Sequence, residues 1–170
     1  FVATEDALYL YHPLRSLWRR LSTGQLYTAL LPLSSTSCAG ITPDGGVEIV
    51  SLGQPDCPRR LALPDGDAAT ALAGTADGTL LIGTWRGRLL SCAAAAGRGE
   101  VSAGGPVLPS AVRALTVTPS GLVAVGLESG GVRVIELGSR RPPAPGGTDI
   151  LIAAFFTRRP APPPAGHGFL

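Results

Sequence analysis

The chain has 170 residues, 45% apolar and only 15% charged, with 23 Gly and 16 Pro; that is one domain's length and too apolar to stay disordered. It has no Lys, no Asn and no Met, which removes a Walker-type phosphate lysine, Schiff-base chemistry and N-glycosylation together. Fourteen Arg against 12 acids leave a net charge of +2, and His12 and His167 are the only imidazoles, so neither strong polyanion binding nor histidine catalysis nor an ordinary zinc site is supported.

The three cysteines, Cys38, Cys57 and Cys92, are odd in number and form no Cys-x-x-Cys pair. They read as thiols of a reducing compartment and place the chain inside the cell, cytoplasmic or nuclear. The longest apolar run, Ile150 to Phe156, is far short of the ~20 residues of a membrane helix. No signal peptide is visible, and a chain beginning at Phe1 reads as processed, trimmed or part of a longer one.

Taken in order, Glu5 and Asp6 form a turn before a strand at Leu8 to Tyr11, and Arg19-Arg20-Leu21 follows. Thr42-Pro43-Asp44-Gly45 makes a turn before Val47, and Arg59-Arg60-Leu61 comes 40 residues after the first arginine pair. From there the pattern becomes explicit. Shifting the chain by 43 residues puts Ala71, Leu72, Thr75, Gly78, Gly83 and Gly87 on Ala114, Leu115, Thr118, Gly121, Gly126 and Gly130. A shift of 85 independently places Gly45, Gly46, Val47 and Leu52 on Gly130, Gly131, Val132 and Leu137. One unit of about 40 residues therefore repeats, and it reads strand, Gly turn, strand, Gly turn, strand. Helix-length amphipathic patterns with caps are absent, so the chain is all-β. Leu80 to Ile82 and Leu122 to Val125 are apolar without alternation, which demands cover on both faces of the sheet.

The segment Val112 to Leu137 resembles the consensus unit of the WD-repeat β-propellers. Thr118-Pro119-Ser120-Gly121 stands where that family has Ser-Pro-Asp-Gly, and Val132-Arg133-Val134-Ile135-Glu136 ends where it usually has Trp-Asp. No copy carries the Trp-Asp dipeptide or the Gly-His pair, so the family's structural His/Asp network is not implied. A propeller of similar blade length outside that family is the alternative. The resemblance covers roughly residues 1–156 and implies blades of four antiparallel strands, about three and a half in this chain. The implied division is a partial blade at 1–24, blades at 25–66, 67–109 and 110–147, an extra strand at 148–157 and a Pro-rich, extended tail at 158–170.

Candidate sites are few. Leu127-Glu128-Ser129-Gly130-Gly131 looks like the surround of a serine nucleophile, but no histidine lies in a matching context and the repeat aligns it with plain hairpin turns. Pro64-Asp65-Gly66-Asp67 has too few oxygens for calcium and reads as a turn between blades. No catalytic residue, metal site or cofactor is assigned. The pairs Arg19-Arg20, Arg59-Arg60 and Arg140-Arg141 recur with the repeat, near the start of each outer fourth strand and on one rim. There they serve either as solvated edge charges or as a dock for an acidic or phosphate-rich partner. Trp85 falls at or just past the end of a second strand, exposed as a partner anchor or packed between blades; Trp18 is expected under an outer strand.

The reading that follows is a non-enzymatic interaction scaffold within a larger assembly, with protein subunits covering open blade faces or docking on loop faces. RNA association through the arginine rim is the alternative, not favoured because aromatic residues are scarce and not interleaved with the basic ones. A propeller enzyme or cofactor binder is the remote third. Leaving about five large apolar side chains uncovered at each open end forfeits on the order of 10 kcal/mol, against a whole-domain stability of about 5 to 15 kcal/mol. The 170-residue chain alone is therefore expected to self-associate or to melt without cooperativity; a monodisperse monomer with one sharp calorimetric transition and a single sedimenting species contradicts this.

Overall fold

The computed structural model describes residues 1–4, 7–23, 26–93 and 100–136. Arg140, Arg141, the strand expected at 148–157 and the tail at 158–170 lie outside them. The described residues hold four antiparallel sheets in which chain neighbours are sheet neighbours. The first is β1 (Val2–Ala3), β2 (Ala7–His12) and β3 (Leu17–Thr23); the second is β4 (Ala29–Ser34), β5 (Ser37–Ile41), β6 (Val47–Ser51) and β7 (Gln54–Leu61). The third is β8 (Ala69–Gly74), β9 (Leu80–Thr84) and β10 (Leu89–Cys92), and the fourth is β11 (Val112–Val117), β12 (Leu122–Leu127) and β13 (Val132–Glu136). No described helix is long and apolar enough to cross a membrane.

Only the second sheet has four described strands, where four were expected in every full blade. Beside β10 the chain makes isolated bridges, Ser91 with Ser102 and Arg88 with Val107. Gly104-Gly105-Pro106 between them breaks the ladder, because proline lacks the N–H and glycine the side chain that a strand needs. In the fourth sheet a further strand would fall after Glu136, outside the described residues.

The sheets stack face to face, and alternate residues of a central strand enter two different cores. Cys38 and Val50 pack with Leu8 and Leu21 of the first sheet, whereas Ala39, Ile41, Val47 and Ile49 pack with Leu80, Ile82 and Leu90 of the third. On β9, Leu81 turns the other way, to Val112, Val123 and Val125 of the fourth sheet. This is why Leu80 to Ile82 carries no polar alternation. The matching run on β12 differs: Val123 and Val125 are fully buried, but Leu122 is 38% exposed, because no described residue covers that face. The cysteines take part in packing, not pairing. Cys38 and Cys92 are buried and Cys57 is exposed, none in a disulfide; burial pushes the Cys38 thiol up to about 11.

One turn is used five times. At Thr42, Thr75, Thr84, Thr118 and Leu127 the residue's carbonyl accepts from the N–H three residues on, and its N–H donates to the carbonyl four residues on. The third residue after each start is Gly45, Gly78, Gly87, Gly121 or Gly130, with φ between 75° and 89°, the left-handed bulge position of a three-residue hairpin loop. Three of these turns join a second to a third strand, and they grip the linkers between sheets. Ala69 N–H donates to Gly45 O and Trp85 N–H to Ala68 O; Leu108 N–H donates to Gly87 O and Glu128 N–H to Ala111 O. Each linker is thus stapled to the turn of the sheet it leaves and to the turn of the sheet it enters.

Two glycines of the same turn separate backbone strain from close approach. Gly121 faces open space, whereas a Cβ on Gly87 would run into the Leu108 and Ser110 carbonyl oxygens. Gly121→Ala is expected to destabilise by about 1 to 2 kcal/mol, the left-handed penalty alone. Gly87→Ala should exceed it at least twofold and loosen the 108–111 linker, measured as urea midpoints and as amide exchange at Leu108.

Candidate functional site

The stapled linkers and the second-to-third turns gather on one rim, with the ion pairs of Arg60 with Asp44, Arg88 with Asp67 and Arg113 with Glu128. At the turn after β5, the Asp44 carboxylate accepts from the Thr42 hydroxyl, from Gly46 N–H at 3.4 Å and from the Arg60 guanidinium of β7. The Thr42 hydroxyl first, and Arg60 next, hold the Asp44 carboxyl well below the usual carboxylate range. In the fourth sheet Arg113 pairs with Glu128, and the Ser110 hydroxyl donates to Ser129 Oγ at 3.1 Å. Ser129 therefore sits in a hairpin turn that caps a linker, with another serine as its partner.

Asp67 is the least expected member. Pro64–Gly66 forms a single 3-10 turn between β7 and β8, the inter-blade turn that Pro64-Asp65-Gly66-Asp67 implied. The Asp67 side chain is nevertheless 0% exposed. Its Oδ1 accepts from Ala68 N–H at 2.9 Å, its Oδ2 is buried with no hydrogen-bond partner among the described residues, and Arg88 Nε stops at 4.0 Å. Asp67 and Asp44 line an open cleft of about 500 Å³, together with Gly46, Arg60, Leu63 and Gly66.

The arginine pairs sit differently from the expectation. Arg59 and Arg60 fall at the end of β7, immediately before buried Leu61, and Arg19 and Arg20 in the middle of β3 before buried Leu21. The fourth strand starts at Gln54, earlier than the arginine pair implied, and an edge strand has one row of N–H groups that need no partner, so Pro55 and Pro58 are tolerated in β7. Arg60 lies opposite Glu48 and Arg59 opposite Ile49; Arg20 lies opposite Tyr9 and Arg19 opposite Leu10. The structure brings Arg60 into the rim beside Asp44.

Trp85 is 53% exposed at the apex of the turn after β9, with the Arg86 guanidinium 5.5 Å from its ring centroid. Trp18 departs from its expected place under an outer strand. It is 56% exposed on the face of the first sheet that points away from the second, edge-on to Tyr9 at 6.2 Å and tilted against Tyr11 at 4.6 Å. Strand alternation explains it, since Trp18 pairs with Tyr11 and Arg20 with Tyr9 on the face opposite Leu8.

Among the described residues no group of three His, Cys, Asp or Glu side chains is placed to hold a metal ion. No protein-family model matches the sequence, and no curated protein matches it. Solved structures do match. The β-propeller domain of Cps50 (Swd1) from Myceliophteria thermophila aligns with a TM-score of 0.62 at 17% identity, over 78% of this chain and 46% of that one. A chain of the mitotic checkpoint complex aligns at 0.63 and 15% identity, over 79% and 42%, and the computationally designed Ika4 protein at 0.58 and 22%, over 79% and 81%. The chain thus spans less than half of the first two. The stacked antiparallel sheets and these alignments define a β-propeller fold.

The Asp44 cluster gives a pH signature. A carboxyl held below its unfolded value contributes stability above the usual carboxylate pKa of about 3.9 and loses it as pH falls through the lower folded value. The unfolding midpoint of the wild type should therefore drop more steeply below pH 4 than that of Asp44→Asn; parallel acid limbs in denaturant melts would remove Asp44 as the cause.

Proposed function

We propose that this chain is a non-enzymatic protein–protein interaction scaffold, a WD-repeat-like propeller subunit of a larger intracellular assembly, and that it docks its partner on the stapled rim. The observation that carries this is Trp85. A large indole more than half exposed is held at the tip of a turn whose backbone is fixed on both sides, by Trp85 N–H to Ala68 O and by Gly87 N–H to Thr84 O. An aromatic side chain presented on a rigid platform gives binding area without ordering cost, which is how interface hot spots work. Arg19, Arg20 and Arg59 on the outer strands complement an acidic partner surface. Protein is favoured over RNA as the partner because Arg60 and Arg113 are engaged by carboxylates and aromatic residues for base stacking are scarce.

Quantitative co-purification from cells of the source organism tests this reading, with the wild type and Trp85→Ala compared at equal circular dichroism. Loss of a hot spot of about 2 kcal/mol or more corresponds to roughly 30-fold weaker binding, so a defined subset of partners should fall at least tenfold. A partner set unchanged in Trp85→Ala and in Arg59→Glu/Arg60→Glu would sink the proposal.

A further inference from the structure

We infer that the aromatic cluster on the outer face of the first sheet is a site for a proline-rich peptide, and that its occupant is the chain's own segment Pro160-Ala161-Pro162-Pro163-Pro164. The site shares no residue with the rim. Tyr9 and Tyr11 of β2 and Trp18 of β3 lie on one face, fixed by the pairing of Val2 with Tyr9 and of Tyr11 with Trp18. The Trp18 ring stands at 85° to that of Tyr9, 6.2 Å away, and is tilted against Tyr11 at 4.6 Å. An apolar cleft of about 310 Å³ lies between Tyr9 and Trp18, bounded by Val2 and Thr4. Trp18 is 56% exposed beside it.

The polar atoms of the cluster select the ligand. Among the described residues the Tyr9 and Tyr11 hydroxyls and the Trp18 indole N–H have no hydrogen-bond partner. An aliphatic sheet face laid over them, as Cys38 and Val50 are laid over Leu8 in the next interface, would bury those donors without acceptors, which is costly. A polyproline II segment supplies what is missing. Its pyrrolidine rings pack on aromatic faces, its carbonyls are free to accept, and proline has no N–H of its own to satisfy. At about three residues per turn, Pro160 and Pro163 fall on one edge of such a helix, so both can face the rings. The segment is also within reach. Twenty-three residues separate Glu136 from Pro160; a connection of that length extends to roughly 80 Å, against a radius of gyration of about 15 Å for a domain of this size. Such a tether raises the effective concentration toward the millimolar range. The other proline run, Pro142-Pro143-Ala144-Pro145, follows Arg140-Arg141 as Leu61-Ala62-Leu63-Pro64 follows Arg59-Arg60, and by the repeat it belongs to the linker leaving the fourth sheet.

The test uses the full chain, isotope-labelled, and follows the indole N–H resonances of Trp18 and Trp85 by nuclear magnetic resonance, with Trp85→Phe for assignment. Pro160→Ala, Pro162→Ala, Pro163→Ala and Pro164→Ala together should move the Trp18 resonance and leave that of Trp85 in place. A synthetic peptide of residues 158–166, added to this variant, should restore the Trp18 resonance saturably. The same peptide should bind the intact chain at least tenfold more weakly, because the tethered segment competes with it. Its alanine-for-proline counterpart and a peptide of residues 139–147 should each bind the variant at least tenfold more weakly than it does. No substitution touches the aromatic face, and an unmoved Trp85 resonance reports an intact fold. A Trp18 resonance indifferent to the four substitutions, equal binding of the alanine peptide, or binding of the 139–147 peptide as tight as that of 158–166 each overturns the proposal. Restoration of the labelled variant by an equimolar amount of unlabelled wild type also overturns it, since the segment of a second copy would then be the occupant.

Discussion

A linker passing between stacked sheets has peptide groups that cannot be left without partners, and the rest of the molecule depends on how these are satisfied. Here the three second-to-third turns supply the partners. Gly45 O and Gly87 O take N–H groups from the chain that leaves their own sheets, while Trp85 N–H and Glu128 N–H reach the carbonyls of the chain that enters theirs. These backbone bonds tie the second sheet to the third and the third to the fourth, and the Thr70 hydroxyl adds a bond to Val112 O across the latter pair. Those bonds require a bulged turn with a left-handed glycine, and at Gly87 they also require that no Cβ exist. The abundance of glycine in the composition is in part this one device repeated.

The same constraint explains why the chemistry collects on one edge. Wherever a turn grips a linker, neighbouring side chains are held close enough to pair, as in Asp44 with Arg60 and Arg113 with Glu128. Most of these pairs are exposed, and such pairs contribute little to stability. Asp67 differs because it is buried, and Trp85 because it is large and outward. The backbone beneath both is fixed by hydrogen bonds, Asp67 through Ala68 and Trp85 through Ala68 and the Thr84–Gly87 turn. The two end faces pose a separate problem, since Tyr11 and Trp18 at one end and Leu122 and Val134 at the other remain exposed.

The 43-residue spacing, the Gly turns and the unalternating Leu80-Leu81-Ile82 run were enough to derive stacked antiparallel sheets, because period, turn chemistry and two-sided burial are local properties. The location of Trp85 at the end of a second strand was legible for the same reason. Trp18 was not: its face depends on the parity of β3 relative to β2, and the pairing shifts between Leu8 and Tyr9. Arg59 and Arg60, expected near the start of a fourth strand, lie at the end of β7, which begins at Gln54 because an edge strand tolerates Pro55 and Pro58.

Asp67 shows the limit most clearly. By itself the sequence determined an all-β repeat, its turn residues, and a chain with two histidines and no lysine. Only the tertiary structure decided that one aspartate of an ordinary-looking turn is sealed from solvent beside a cleft while Asp44 is exposed and paired. Burial and pairing are set by residues distant in the chain, Arg60 for one and Arg88 for the other, and no local pattern encodes which carboxylate the folded linker encloses.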